Sequence, residues 1–445
     1  LRGFFYFWDV NLIYRINIIL YLIVGTVPNL ESLDKVATQW LYLNLLNTLS
    51  LLFYLIKDYP IKDVLKDKAT ILFVCFFTWS AISLIFAINK IESLVVLSQI
   101  FAIVIAFIVL MICIRETKSP LKFISNSISF FLIIELIYIY IPFFTLDVSP
   151  QEIFSRSNLF LGFAANVNIT AFSIIYKIPF LIFSIMHLKK LKIVSYILAL
   201  VVFVSIIFVS GTLNSTRGAI LTYSSLALVI FVISTVIFFK SKNSKLLIIS
   251  SIYSLTVLIS FPLNSIVADT YQKSQSSVTN RMKSLNALID EDKQMDQSLT
   301  QRSNFYKQAL NTIKNYPIFG VGIGNWKIKS IDTNKENIVG YTVPYHVHND
   351  YLEIGAEIGL IGLGIYLFIL FISFKKHVLK FLKAIFTHSN LDRNYLEDVI
   401  IFLFLLIWII DSNFNFPFHR PIELINLIVL LAYLNSKEKS RIYDK

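Results

Sequence analysis

The feature that most constrains this chain is a series of twelve apolar runs, most of them about 17–25 residues long. A helix of that length crosses the hydrocarbon core of a bilayer. The composition agrees, because 56% of the 445 residues are hydrophobic and only 15% are charged, whereas about 25% are charged in soluble domains. We therefore predict an all-α polytopic membrane protein with about twelve transmembrane helices. The predicted spans are 11–28, 37–56, 70–88, 92–114, 124–144, 168–187, 193–210, 218–239, 245–263, 357–374, 398–410 and 418–435.

The Lys and Arg residues predict the orientation of these spans. They cluster in alternate loops and in the C-terminal tail, as expected for the cytoplasmic side of a membrane. This bias explains the net charge of +12 without a nucleic acid partner. An even number of spans then places both termini in the cytoplasm. Cys75 and Cys113 both lie within apolar runs, so we expect neither a disulfide framework nor a cysteine zinc site.

This orientation places four segments on the outer face: the loop near 145–167, the turn that holds Arg217, the segment 264–356 and the turn 411–417. We interpret residues 1–445 as one polytopic membrane domain, with 264–356 as a long periplasmic segment inserted before the tenth span. Within that segment, Thr300 is expected to cap a helix that begins at Gln301. The chain shows no pattern of a cleavable signal peptide, and because it opens on Leu1 we expect a few native residues to precede it.

Polar chemistry is concentrated in Tyr345–Leu370, with the sequence YHVHNDYLEIGAEIGLIGLGIYLFIL, at the outer end of the tenth span. His348 can take a proton from a hydroxyl near pH 7, as a general base does, and the alternative is an exposed loop histidine. His346 and Asn349 flank it and are candidates for substrate binding. The two histidines and Asp350 also allow a metal site. No clear third and fourth ligand set accompanies them, so we expect no metal.

Glycines surround a second acidic candidate, Glu357, in the sequence EIGLIG. Its carboxylate can orient a histidine, cap the helix N-terminus or face an aqueous cavity that binds substrate. Gly359 and Gly362 are three residues apart, which permits close helix packing in a bilayer. Another glycine pattern, GVGIG at 320–324, superficially resembles a phosphate loop. It follows a predicted helix rather than a strand, and no helix clearly starts after it, so we exclude nucleotide binding.

Two arginines are candidates for binding a phosphate. Arg217 lies in a short outer turn, SGTLNSTRGAI, where a cation must be paired or face water. A guanidinium group binds phosphate through two parallel hydrogen bonds, and the alternative is an arginine that reaches lipid headgroups. Arg302 opens the predicted outer helix. It is either a solvated charge or, with Arg281 and Lys283, part of a basic rim.

Glu135 and Lys177 are ionisable residues inside the fifth and sixth predicted spans. Each is about ten residues from the cytoplasmic end of its span, so the two lie at matching depth. Because a charge within a bilayer is usually paired, we predict an ion pair that is structural rather than catalytic.

Together these residues resemble the O-antigen ligase and polymerase superfamily of membrane glycan transferases. Four sequence segments carry the resemblance: STRGA at 215–219, YPIFGVGIGNW at 316–326, HNDYLEIGAEIGLIG at 348–362 and DSNFNFPFHRP at 411–421. In that family a histidine-asparagine pair precedes a glutamate-glycine helix, and two arginines accompany them. The matching residues here are His348, Asn349, Glu357, Gly359, Arg217 and Arg302.

The resemblance implies a glycosyltransferase C-like fold and an enzyme that needs neither metal nor other cofactor. Its donor would be a glycan on undecaprenyl diphosphate, used at the periplasmic face of a bacterial inner membrane. Arg217 and Arg302 would stabilise the departing diphosphate, and His348 would deprotonate the acceptor hydroxyl in an inverting displacement. Lipid A-core is the simplest acceptor. A polysaccharide polymerase and a protein O-oligosaccharyltransferase remain alternatives, as does a transporter whose charged residues line a path for the same lipid.

Overall fold

The computed structural model shows a helical protein. It describes residues 10–30, 32, 34, 36–57, 59, 61–146, 149, 152, 159–164, 166–188, 192–213, 216–242, 244–271, 297–333, 345–387 and 395–443. Within these ranges there is no β-strand. The α-helices are α1 (Val10–Ile23), α2 (Ala37–Ile56), α3 (Ile61–Leu65), α4 (Lys68–Ser83), α5 (Lys90–Glu116), α6 (Pro120–Thr145), α7 (Val167–Tyr176), α8 (Ile178–Met186), α9 (Lys192–Ile207), α10 (Arg217–Ser241), α11 (Ser244–Tyr271), α12 (Gln297–Asn315), α13 (Trp326–Thr333), α14 (Asp350–Phe386), α15 (Tyr395–Phe414) and α16 (Pro421–Tyr443).

Each predicted membrane span coincides with apolar helix. Nine segments of the described chain are long and apolar enough to cross a membrane, and α7 and α8 together form one of them. Helices α1 and α16 contain shorter apolar stretches. Helix α15 is 20 residues long and carries Glu397 and Asp398 in its first turn. The prediction of an all-α polytopic membrane protein is therefore confirmed.

Asparagine side chains begin several of these helices. The side chain of Asn89 accepts hydrogen bonds from the backbone of Ile91 and Glu92 at the start of α5, at 3.0 and 3.2 Å. Such a cap satisfies amides that have no partner within the first helical turn. The predicted cap at Thr300 is wrong, because α12 already begins at Gln297 and Thr300 lies within its first turn.

Helix α5 lies at the centre of the bundle. It packs against α1, α2, α4 and α16, and nearly all of its residues from Ala102 to Ile114 are buried. Outer helices instead expose large apolar side chains, such as Leu41 and Leu49 on α2, which are 62% and 67% exposed. Because lipid is as apolar as leucine, this exposure suits a helix that faces the bilayer.

The predicted intramembrane ion pair between Glu135 and Lys177 is confirmed. Lys177 Nζ lies 2.5 Å from Glu135 Oε2. The side chain of Lys177 is only 7% exposed and that of Glu135 only 2%. The hydroxyl of Ser173 donates to Glu135 at 2.9 Å, and Lys177 donates to the carbonyl of Ser173 at 3.0 Å. Three side chains on α6, α7 and the α7–α8 junction thus satisfy one another at this depth.

A kink at Gly359 divides α14 into a short first segment and a long second one. Gly359 has φ +72°, and an added Cβ atom would lie 2.0 Å from the carbonyl oxygen of Ile318. Gly320 also has positive φ, and its added Cβ would lie 2.3 Å from the carbonyl of Glu357. We expected Gly359 to permit close packing against another helix, and this is wrong. Gly359 packs against the loop at 316–326 instead.

That loop satisfies the carbonyl groups that the kink leaves without helical partners. The amide of Val321 donates to Ala356 O at 3.0 Å, and the amide of Gly322 donates to Glu357 O at 2.9 Å. A broken helix is tolerated in a membrane protein when neighbouring groups complete its hydrogen bonds in this way. The loop and the first segment of α14 consequently form one unit, and this unit positions the residues before α14.

Candidate active site

His348 lies immediately before α14, in a backbone conformation that is uncommon for a residue with a side chain. Its φ is +62°, in the left-handed region, where such strain is concentrated at functional sites. The next residue, Asn349, caps α14 by accepting from Leu352 N at 3.0 Å. Its amide group also donates to Asn413 O at 3.3 Å. Asn349 thus holds His348 between the start of α14 and the end of α15.

Helix α12 brings Arg302 to the same place. Arg302 donates to Phe414 O at 3.2 Å. Tyr306, four residues later and on the same helical face, has its hydroxyl 3.0 Å from His348 O and 2.9 Å from Asn413 O, both of which accept from it. The two side chains therefore join α12 to the histidine and to the end of α15.

Arg217 and Arg420 complete a cationic cluster around Arg302. Burial lowers the pKa of Arg302; Tyr306 acts in the opposite direction, and the charges of Arg217 and Arg420 lower that pKa further. Arg217 is the first residue of α10 and is half-buried. Arg420 lies just before α16, is 3% exposed, and lies 3.8 Å above the ring of Phe416. Three guanidinium groups from three parts of the chain thus converge.

His348 is neutral in this environment. Burial lowers its pKa to about 3, and the charges of Arg302 and Arg420 contribute to the shift. Its ring contacts Phe416 edge-on, with ring centres 5.1 Å apart, and among the described residues its Nδ1 has no hydrogen-bond partner. A neutral imidazole with a free nitrogen beside Arg302 and Arg420 can accept a proton while an anion binds next to it.

Glu357 lies away from this cluster and contacts the glycine loop. Its carboxylate accepts from Gly324 N at 2.8 Å and from Trp326 N at 3.2 Å. The second bond caps α13, so the statement that no helix starts after the GVGIG pattern is wrong. These contacts show helix capping, which is one of the roles predicted for Glu357. The helix that Glu357 caps is α13 and not its own helix, α14. Its carboxylate also borders a polar cavity, and substrate binding by Glu357 stays a prediction.

His346 contacts the same aromatic ring, Phe416, that His348 contacts. Its ring stacks on Phe416 with centres 4.0 Å apart, and its Nδ1 lies 2.7 Å from Glu353 Oε1. His346, His348 and Asp350, which the sequence allowed as metal ligands, do not come together, because Asp350 accepts from the backbone of the turn at 417–419. The histidine that joins His346 belongs to that turn instead.

Other residues of the site were not predicted. Arg420, His419 and Phe416 lie in the DSNFNFPFHRP segment, which carried the family resemblance without assigning a role to any residue. The histidine-arginine pair beside a proline was the available signal. Tyr306 was not among the candidate residues. Arg281, with Lys283 and the acidic residues at 290–296, lies outside the described residues.

The fold and the site define a multi-pass membrane protein with a histidine and three arginines at one end of its helical bundle. Residues 202–367 match the family model described as O-antigen ligase, which supports the resemblance to the O-antigen ligase superfamily. The match includes Arg217, Arg302 and His348 and ends before Arg420. Among curated proteins, no significant sequence match was found. The family supports a bacterial membrane enzyme of the glycosyltransferase type.

Proposed function

We propose that this protein transfers a glycan from undecaprenyl diphosphate to an acceptor hydroxyl at the periplasmic face of the inner membrane. The most direct acceptor is lipid A-core, which makes the reaction O-antigen ligation. The observation that carries the proposal is a neutral, buried His348 beside Arg302 and Arg420, with Arg217 close enough to Arg302 to lower its pKa. In this orientation both termini are cytoplasmic, and the long segment 264–356 is periplasmic.

The arginines suit a lipid diphosphate. Among the described residues Arg302 has no carboxylate partner, and its guanidinium donates to the neutral backbone carbonyl of Phe414. Guanidinium groups bind phosphate oxygens through paired hydrogen bonds and remain charged at neutral pH. A fixed cation stabilises the negative charge that grows on the diphosphate as it departs. Cations held in place in this way take over the role of a divalent metal, so the transfer step needs none.

His348 acts at the other end of the displacement. The acceptor oxygen forms a bond to the anomeric carbon while the bond from that carbon to the diphosphate oxygen breaks, and its electron pair leaves with the diphosphate. The acceptor proton passes to the free nitrogen of His348. A single displacement inverts the configuration at the anomeric carbon. A product with retained configuration would contradict this mechanism.

Two alternatives act on the same donor. A polymerase uses the same chemistry but extends the chain on its own carrier, and a protein O-oligosaccharyltransferase uses a protein hydroxyl. A transporter of the lipid-linked glycan is an alternative of another class, in which intramembrane charges line a path. If the protein is a transporter, replacement of Lys177 should reduce activity per folded molecule more than replacement of His348. If it is a transferase, replacement of His348 should reduce activity more.

The test is a glycan-display assay in a deletion strain complemented with wild type, His348→Ala, Arg217→Ala or Arg302→Ala, with membrane levels measured in parallel. His187→Ala is a matched control, because His187 lies at the end of α8 and, among the described residues, its ring forms a hydrogen bond only with Phe183 O of the same helix. We expect the three site variants to be present but inactive, with glycan retained on its carrier. Full-length chains on the carrier indicate a ligase, and single repeats indicate a polymerase. Normal display in His348→Ala would overturn the proposal.

A further inference from the structure

Three metal-binding side chains converge from the start of α14 and from the turn before α16. They are His346, Glu353 and His419, whose ligand atoms all lie within 4.8 Å of one another. Glu353 Oε1 lies 2.7 Å from His346 Nδ1 and 3.3 Å from His419 Nε2. Ligands at about 2.1 Å from a tetrahedral zinc ion are about 3.4 Å apart. Small movements therefore bring these atoms to zinc-binding distances.

The surrounding contacts hold the three ligands in place. The second oxygen of Glu353 accepts from Val347 N at 2.8 Å, and the ring of His346 stacks on Phe416. The turn that carries His419 is fixed because Phe418 N donates to a carboxylate of α14 at 3.0 Å. Such outer contacts orient the ligands of a metal and are a regular part of protein metal sites.

One nitrogen of the cluster is buried without a hydrogen bond. Within the described residues, His419 Nε2 has no hydrogen-bond partner, although Glu353 Oε1 is close to it. Leaving a buried polar atom unsatisfied destabilises the fold, and such atoms are uncommon in proteins. A cation between the two histidines and the carboxylate satisfies all three ligand atoms at once.

The cavity beside the cluster has an acidic wall. It encloses about 90 Å³, and its lining includes the carboxylates of Asp34, Glu92, Glu353 and Glu357. The lining residues include one lysine, Lys327, which forms an ion pair with Glu92. Acidic groups thus outnumber basic ones along this wall, which favours a cation. The space also leaves room for a fourth ligand on the open side of the cluster.

We propose that His346, Glu353 and His419 bind one Zn²⁺ ion. Two imidazoles and a carboxylate form a ligand set that suits zinc. The ion joins the segment before His348 to the turn before Arg420, and so sets the positions of the base and of one arginine. It takes no part in bond making, and its binding is measured without any glycan. The proposal therefore goes beyond the proposed transfer reaction and is tested separately from it.

The first test measures zinc in full-length protein purified in detergent, by elemental analysis after removal of loosely bound metal and titration with Zn²⁺ alone. We expect about one equivalent in wild type, and at least about 100-fold weaker affinity in Glu353→Gln and His419→Ala. His377→Asn is the matched control, because His377 Nδ1 also contacts a carboxylate, Asp398, at 2.6 Å but elsewhere in the bundle. It should retain zinc. Wild type without zinc, or zinc lost only in His377→Asn, would overturn the proposal.

A second measurement needs only wild type, in case the ligand variants do not fold. X-ray absorption at the zinc edge should show nitrogen and oxygen ligands at about 2.0–2.1 Å with two imidazoles. A zinc spectrum that shows no imidazole ligands would contradict the proposed site. His348→Gln separates the two proposals, because it should bind zinc normally and lose transfer. Normal zinc with normal transfer in that variant counts against the transferase mechanism and leaves the zinc site standing.

Discussion

The Glu135–Lys177 pair and the Arg302–His348 site both bury ionisable groups, but only the first neutralises them within the protein. Lys177 lies 2.5 Å from its carboxylate, whereas Arg302 donates to a neutral carbonyl and His348 Nδ1 has no hydrogen-bond partner among the described residues. The outer region is instead held by glycine backbones and by the asparagine cap. A group that is already satisfied stabilises the fold, and one that is unsatisfied is available to a ligand.

The largest effect should come from the backbone packing of the outer region. In Gly359→Ala the new methyl group would lie 2.0 Å from Ile318 O at positive φ, so we expect a loss of more than about 4 kcal/mol, which is exceptional for one substitution. Gly364→Ala is the control, because no atom lies within 4 Å of its added Cβ. Thermal unfolding in detergent measures both. Equal stability of the two variants would show that the kink does not hold this region.

Substitutions in the Glu135–Lys177 pair should cause the next largest loss of stability. Glu135→Gln or Lys177→Met leaves one buried charge without its partner, which costs about 3–5 kcal/mol. The double variant removes both charges and should be more stable than the sum of the single losses predicts. A double-mutant cycle of unfolding in detergent measures the coupling. If both single variants unfold like wild type, the pair is not structural, and the contrast with the outer site fails.

Arg302 should show the opposite pattern, with a loss of activity and little loss of stability. Arg302→Lys keeps the charge but removes the paired hydrogen bonds to phosphate, so we expect transfer to fall about 10²-fold. The unfolding temperature should stay close to that of wild type. Arg115→Lys is the control, because Arg115 pairs with Asp67 at 3.4 Å elsewhere in the protein. Unchanged transfer in Arg302→Lys would show that a point charge is sufficient.

Tyr306 should give the smallest effect, because it acts through another residue. Tyr306→Phe removes the hydroxyl that binds His348 O and Asn413 O, at a cost of about 1 kcal/mol. We expect kcat to fall about tenfold while KM changes little, as for a residue that positions the base. Tyr316→Phe is the control, since Tyr316 is 44% exposed. A change in KM alone would indicate that Tyr306 contacts substrate instead.

The sequence by itself determined where the chain crosses the membrane, because a bilayer demands long apolar helices whatever their packing. It also predicted the pairing of Glu135 with Lys177, since few groups can satisfy a charge at that depth. His348 was recognisable from its position just before a predicted span, and Arg302 from the resemblance to the superfamily. Each of these features depends on the pattern of residues within individual segments of the chain, so those patterns are sufficient to predict it.

Only the tertiary structure decided which outer residues meet. The kink at Gly359 depends on a loop about forty residues earlier in the chain, and periodicity in α14 does not reveal it. Arg420 and His419 join the site because α15 and α16 return the chain to the start of α14. Contacts between distant segments depend on how whole helices pack, and no spacing within one segment encodes that packing.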